Sequence, residues 1–287
     1  MRTVTRRIIQ IIEPEPVIEG AGVRLKRSIG TATLDYLDPF LLFDDFTSSH
    51  QADYEAGFPL HPHRGIETVT YVLEGEVRHK DTLGNAGSIG AGEIQWMTAG
   101  RGIMHEEMPQ VRPEGIVGFQ LWVNLPAKLK MTRPRYQDIR SGEIREITRE
   151  NGARIRVITG TVDGIAGPVT GIAADPTYVD VVIPPHTSFN HAIERRHTAF
   201  AYLFEGKARF QDGEGTNDRL VSHPHLVVFG DGDFVTVMTG THCARLLLVS
   251  GLPLGEPIAR YGPFVMNTEQ EIEQTLLELR QGTFVTT

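Results

Sequence analysis

Two short motifs in the first half of the chain carry metal-binding side chains at the same spacing. His61 and His63 are two positions apart, and so are His105 and Glu107. On a β-strand, residues i and i+2 point to the same face, so each pair presents two donor groups together. Three imidazoles and one carboxylate suit a borderline divalent ion: Fe(II), Ni, Co, Cu, Mn or Zn. Four such ligands on a six-coordinate ion leave two positions for water, O2 or a chelating substrate.

Two alternatives bear on this interpretation. Structural zinc sites usually use cysteine, and the chain has one cysteine, which disfavours that class of site. Glu67 lies at even spacing from His61 and His63, so on a regular strand it would share their face. Glu67 is therefore an alternative to Glu107 as the fourth ligand.

The residues between the two motifs predict short strands separated by glycine turns. Residues 67–73 and 94–98 read as strands, Glu74-Gly75 as a turn, and residues 99–102 as a turn that delivers His105. Short strands punctuated in this way are typical of an all-β barrel.

The segments HPHRGIETVTYVLEGE and GEIQWMTAGRGIMHEEMP resemble the pirin family of the cupin superfamily, as do DPFLLFDDF at 38–46 and LWVNLP at 121–126. The resemblance covers nearly the whole chain. It implies an all-β fold of two cupin-type β-barrel (jelly-roll) domains in tandem. It also implies that His61, His63, His105 and Glu107 hold the metal, which favours Glu107 over Glu67.

An internal repeat supports two barrels. Residues 68–75 resemble residues 199–206, and aligning Gly75 with Gly206 places Ala192 and Glu194 where His61 and His63 stand. We therefore expect a metal-binding domain at 1–134 and a cupin-like domain at 135–287 that lacks the ligands and ends in a helix at 268–281. Residues 223–225 repeat the letters His-Pro-His at the wrong place in the repeat and are not expected to bind metal.

Bulk properties restrict the function classes. The 287 residues have a formal net charge of −8, which disfavours direct binding to nucleic acid. One cysteine fits a reducing compartment. The N-terminal stretch lacks the apolar core of a signal peptide, and no stretch approaches the length of a membrane span. We expect a cytoplasmic monomer.

Four residues are candidates for catalysis or for binding the substrate. Glu107 is the expected catalytic base. Arg64, next to His63, is either a substrate contact or a structural ion pair. Gln120 lies on an apolar strand and needs a partner if it faces the core, and Asp45 ends a buried strand near the expected pocket mouth. The charged stretch 126–134 reads as a solvated connection.

The resemblance to pirins implies two functions. The first is a metal-dependent dioxygenase of the quercetin 2,3-dioxygenase type, which opens a flavonol-like substrate with O2 at one divalent ion, Fe(II) being favoured. The second is a non-enzymatic iron-binding regulator that binds a transcription factor or a metabolic enzyme. A cupin fold alone does not choose between them.

Overall fold

The structure, a computed structural model, describes residues 3–215 and 218–285. Its contacts divide the chain into two compact units, each built from two segments. The first barrel comprises Glu15–Ser141 and the segment from Leu254 onward, and the second barrel comprises the residues up to Pro14 and Gly142–Pro253. This division differs from a single boundary after residue 134, because each chain terminus packs with the unit that is remote from it in sequence.

The elements are predominantly strands, as predicted. The first thirteen are β1 (Ile8–Ile12), β2 (Glu15–Glu19), β3 (Val23–Ile29), β4 (Phe40–Asp45), β5 (Phe58–His63), β6 (Ile66–Glu74), β7 (Val77–Asp81), β8 (Ala86–Ile89), β9 (Glu93–Thr98), β10 (Ile103–Pro109), β11 (Val117–Asn124), β12 (Arg135–Ile139) and β13 (Arg145–Thr148). The others are β14 (Arg154–Thr159), β15 (Thr161–Val162), β16 (Ile165–Ala166), β17 (Thr177–Ile183), β18 (Ser188–Ala192), β19 (Thr198–Gln211), β20 (Asp218–Ser222), β21 (His225–Phe229), β22 (Phe234–Gly251), β23 (Ala259–Tyr261) and β24 (Phe264–Met266). Short 3₁₀ turns lie at Gln51–Asp53, Ala127–Leu129 and Ser141–Glu143.

The first barrel consists of two antiparallel sheets and a C-terminal hairpin. One sheet has the order β12-β9-β6-β11-β4-β3-β2, the other has the order β5-β10-β7-β8, and β23 pairs with β24. Strand β10 alternates buried and half-buried residues, with His105 and Glu107 among the buried ones. This alternation places both side chains on the same side of the strand.

The second barrel consists of a nine-stranded sheet, in which β19 and β22 are the long central strands, and a short hairpin of β15 and β16. Its interior is aliphatic and aromatic, and strand β1 joins it by pairing with β21. The expected all-β fold of two domains is confirmed.

The C-terminal helix α1 spans Glu269–Gln281. Thr268 and Glu271 form a reciprocal capping box at its start, and Gly282 ends it in the left-handed conformation with φ +71°. Ile272 is buried against residues of the first barrel, including Phe264. None of the described helices is long and apolar enough to cross a membrane.

The stretch 126–134 is not simply a solvated connection. Lys130 is 1% exposed, and its ammonium donates to the carbonyl oxygens of Gly65 and Val265 and to Oδ1 of Asn124. The charge is buried because three oxygen acceptors converge on it, which a sequence pattern of exposed charges does not show.

Candidate metal centre

Antiparallel pairing of β5 with β10 brings the two sequence motifs together. His61 lies opposite His105, and His63 lies opposite Ile103. The ring centroids of the three histidines are 4.5 to 5.1 Å apart. Their ligand nitrogens all lie within 4.8 Å of one another. Two motifs separated along the chain therefore form one cluster of imidazoles.

The ring nitrogens of this cluster are arranged as donors to a common ion. Nδ1 of His61 lies 2.9 Å from the carbonyl oxygen of Pro59, which favours a proton on Nδ1 and a free lone pair on Nε2. Nε2 of His61 is 3.0 Å from Nε2 of His63. Donor atoms at adjacent positions of an ion with bonds of about 2.1 Å lie roughly 3 Å apart, so the observed spacing fits a shared ion.

Burial keeps two of these imidazoles neutral. His63 and His105 are 2% and 1% exposed. Desolvation lowers the pKa of His105 to about 4 and the pKa of His63 well below its usual value. Both ring nitrogens of His105 are buried without a hydrogen-bond partner among the described residues. A buried, unpartnered imidazole is costly, and a coordinated metal ion would satisfy it.

Glu107 lies beside the three histidines and is held by hydrogen bonds. Thr70 Oγ1 donates to Oε1 at 2.8 Å and Gln120 Nε2 donates to Oε2 at 3.0 Å. Burial favours a higher pKa for Glu107, but neighbouring His105 and the two hydrogen bonds outweigh it and lower the pKa. The group of mutually close ligand atoms contains the three histidines and not Glu107. Its role as the fourth ligand remains a prediction.

Glu67, the alternative ligand, faces away from the histidines. Its Oε1 accepts from Thr98 Oγ1 at 2.7 Å, on the sheet face opposite to the one where Thr70 contacts Glu107. The parity argument from His63 fails because β5 and β6 are separate strands joined at Gly65. That glycine has φ +78°, and the carbonyl oxygen of Val265 occupies the place of a Cβ atom.

Two of the three clustered histidines lie in the wall of a cavity of about 610 Å³ in the first barrel. His61, His63 and Gln120 line it together with apolar side chains such as Phe58 and Trp122. The Trp122 ring meets the His63 ring edge-on, with centroids 5.0 Å apart. The volume falls in the range of sites for small organic ligands.

Two of the three expected substrate contacts lie outside this cavity. Arg64 is buried against the C-terminal segment, where it forms an ion pair with Glu278 at 2.7 Å. Of the two roles that the sequence allowed for Arg64, this is the structural ion pair. Gly65 makes the turn of the backbone that this contact requires. Asp45 accepts from the Thr47 amide and does not line the cavity. Its neighbour Asp44 lines it instead, because successive side chains of β4 point to opposite faces. Gln120 lines the cavity.

Strand pairing shows what the second barrel has in place of the ligands. The pairing of β18 with β22 repeats that of β5 with β10, and His191 lies opposite Val235 as His61 lies opposite His105. Counted along these strands, the four ligand positions are taken by His191, Ile193, Val235 and Val237. Ala192 and Glu194, which the sequence alignment placed at the ligand positions, are exposed, whereas His191 and Ile193 are buried. The alignment therefore assigned the wrong face of β18.

No second centre of comparable quality emerges in the described part of the second barrel. His191 is stacked on Phe189. Nδ1 of His225 lies 2.7 Å from the carbonyl oxygen of Ser222. A second possible grouping consists of Asp175, Glu194 and His197. Both of its acids are exposed, and Glu194 pairs with Arg196, so it lacks the buried donors of the first centre.

Family models match both halves of the chain. The model described as pirin matches residues 22–123, and the model described as the pirin C-terminal cupin domain matches residues 178–285. A pirin-like protein of Caulobacter vibrioides is 45% identical, over 97% of this chain and 99% of its own length. The chain belongs to the pirin family. The predicted resemblance is thereby confirmed.

Two further proteins are similar to this pirin over most of its length. Human pirin is 42% identical, over 92% of this chain and 89% of its own length. A crystal structure described as quercetin 2,3-dioxygenase from Acinetobacter baumannii superimposes with a TM-score of 0.86 at 31% identity, covering 98% of this chain and 99% of that one. The two-barrel fold is thus that of a pirin-like cupin.

Proposed function

We propose that this pirin is a metal-dependent dioxygenase of the quercetin 2,3-dioxygenase type, which opens a flavonol-like substrate with O2. The observation that carries the proposal is a cluster of three imidazoles, two of which, His61 and His63, lie in the wall of a cavity of about 610 Å³. The relative from A. baumannii, which is described as a quercetin 2,3-dioxygenase, supports the same class of reaction.

The centre would hold one divalent ion, for which we propose Fe(II). His61, His63 and His105 would supply nitrogen donors, and Glu107 the carboxylate. When bound, the ion supplies the Lewis acidity and redox capacity that a reaction with O2 requires. The protein supplies neutral imidazoles, apolar cavity walls and a fixed position for the reacting hydroxyl group of the substrate.

Glu107 is proposed as the general base. Its lowered pKa keeps the carboxylate ionised at neutral pH, so it can accept the proton of a substrate hydroxyl. Gln120 Nε2 donates to one carboxylate oxygen, and Gln120 Oε1 accepts from Trp122 Nε1 at 3.2 Å. Trp122 and Gln120 both line the cavity, and Gln120 is hydrogen-bonded to Glu107, so a planar substrate against Trp122 would lie near the residue that holds the base.

The regulatory alternative predicts a different cavity. A protein that uses its metal only as a structural or redox signal has no need of an open pocket, and its tail helix or side chains can fill the space. Here the described lining residues come from strands and loops, and α1 contributes none of them. This observation favours the enzyme over the regulator.

The proposal is tested by aerobic turnover of quercetin with release of carbon monoxide, using protein of measured metal content. Glu107→Gln should reduce kcat by about a hundredfold or more, the size of a general-base contribution, while retaining metal. Glu106→Gln, on the same strand, is the matched control and should retain activity.

His61→Ala should lose metal and activity together, since it removes a nitrogen donor. Metal-loaded wild-type protein without turnover would contradict the dioxygenase. Full turnover by metal-loaded Glu107→Gln protein would contradict only the base role.

A further inference from the structure

Two arginines line the cavity of the first barrel, and their partners differ. Arg27 is fully paired: its Nε and Nη2 donate to the two carboxylate oxygens of Asp44, each at 2.8 Å, and its Nη1 donates to Glu19 at 2.8 Å. These ion pairs use the donors of Arg27 within the protein. Arg27 therefore has little capacity left for a ligand.

Arg260 has no such partner. Its Nη1 donates to the carbonyl oxygen of Leu41 at 3.2 Å, and its Nε makes a long contact of 3.4 Å with the carbonyl oxygen of Gly262. Among the described residues, no carboxylate lies within 4.0 Å of this guanidinium. Asp35, Asp44 and Glu19 attract this half-buried guanidinium only at longer range, and Asp44 and Glu19 are already ion-paired with Arg27. The guanidinium remains charged and is not neutralised by direct contact with a carboxylate of the described residues.

The position of Arg260 relates it to the metal centre. Its Cζ lies over the Trp122 ring, 5.4 Å from the centroid. The same ring meets His63 edge-on at 5.0 Å. One tryptophan thus separates the guanidinium from a metal-binding imidazole. A planar ligand that reaches the metal at one end would have its other end close to Arg260.

We propose that Arg260 is a specificity-determining residue that binds an oxyanion on the substrate, and that this site takes aromatic substrates with an anionic group remote from the metal-binding hydroxyl. Carboxylate and sulfonate groups match the planar donor fork of arginine. The choice of flavonol-like substrates rests on the proposed function. The preference for the anion rests on Arg260 alone.

The test is a binding measurement with two matched probes, quercetin and quercetin-5′-sulfonate. Binding is detected by the quenching of tryptophan fluorescence. Wild-type protein should bind the sulfonate at least tenfold more tightly than quercetin at low salt, and the difference should shrink at high salt, as it does for a charge-assisted hydrogen bond at a partly exposed site. Arg260→Gln should weaken binding of the sulfonate about tenfold or more and of quercetin less than threefold. Arg260→Lys should recover part of the preference.

Arg24→Gln is the matched control, because it removes an equal charge from an exposed position of β3 where the side chain is 67% exposed. It should change neither affinity. Equal affinities of wild-type protein for the two probes would overturn the proposal without any variant. An equal loss for both probes in Arg260→Gln would show a purely structural role and would also overturn it.

Turnover of both probes in the same samples separates the two proposals. Discrimination without turnover leaves the anion site intact and removes the dioxygenase. Turnover of quercetin without discrimination between the probes supports the dioxygenase and overturns the anion site.

Discussion

Arg64 is expected to fasten the C-terminal helix to the first barrel. Its Nε donates to the carbonyl oxygen of Arg101 at 2.6 Å, and Nη1 and Nη2 donate to Thr275 Oγ1 at 3.1 Å and to the carbonyl oxygen of Phe284 at 3.3 Å. Nη2 also pairs with Glu278 at 2.7 Å, and the guanidinium lies 4.6 Å from the Phe284 ring centroid. Each nitrogen of this 3% exposed guanidinium therefore has a partner, and three of the four partner residues lie in α1 or just after it.

Arg64→Met keeps the apolar stem and removes these contacts. Breaking a buried ion pair costs about 3–5 kcal/mol. The Glu278 side chain is 24% exposed and can be rehydrated, so the lower end of that range applies. We expect the free energy of unfolding of the first barrel to fall by about 3 kcal/mol. Glu278→Gln keeps an acceptor for Arg64 but leaves the buried guanidinium without its counter-ion, so it should cost about 2 kcal/mol, less than Arg64→Met.

Urea denaturation measures the total loss, and hydrogen exchange of the amides of α1 locates it. If α1 detaches locally, a loss of about 3 kcal/mol corresponds to roughly a hundredfold faster exchange in the helix. Exchange should change little in the second barrel. If Arg64→Met costs no more than Glu278→Gln, or if α1 keeps its exchange rates, the fastening role of Arg64 is refuted.

Two further predictions concern buried charge. In metal-free protein, burial lowers the pKa of His105 and His191 to about 4. The unfolded chain takes up protons first as the pH falls below about 6.5, so each histidine should cost its barrel roughly 1.4 kcal/mol per pH unit in the free energy of unfolding. Urea titrations at pH 7 and pH 5 that give equal stabilities would contradict this. Lys130→Met leaves three buried oxygens without their donor and should cost about 2–4 kcal/mol, measured against the exposed control Lys128→Met.

Local features of the first motifs could be predicted because they depend on short-range geometry. The i, i+2 spacing of His61 and His63, and of His105 and Glu107, already indicated a group of metal ligands on strands. The two ends of the helix, at Thr268 and Gly282, could be predicted from the sequence because capping depends on residues within one turn of the helix. The all-β class followed from the period-2 strands and glycine turns.

The faces of several residues could not be predicted. Glu67 was assigned to the wrong face because strand parity holds only within one strand, and Gly65 turns the chain between two strands. The alignment of the repeat likewise assigned the exposed residues Ala192 and Glu194 to the inward face of β18, because a displacement by one residue reverses every face of a strand. Asp44 and Asp45 differ by one position, and only the register of β4 decides which of them reaches the cavity.

The sequence by itself determined which chemistry is available in this protein: three imidazoles, nearby carboxylates and strands to carry them. Tertiary structure decided what those groups face. It brought Arg260 from the far end of the chain to the cavity wall and directed Arg64 toward α1. Contacts between residues some 200 positions apart depend on how the whole chain packs, and no local pattern encodes them.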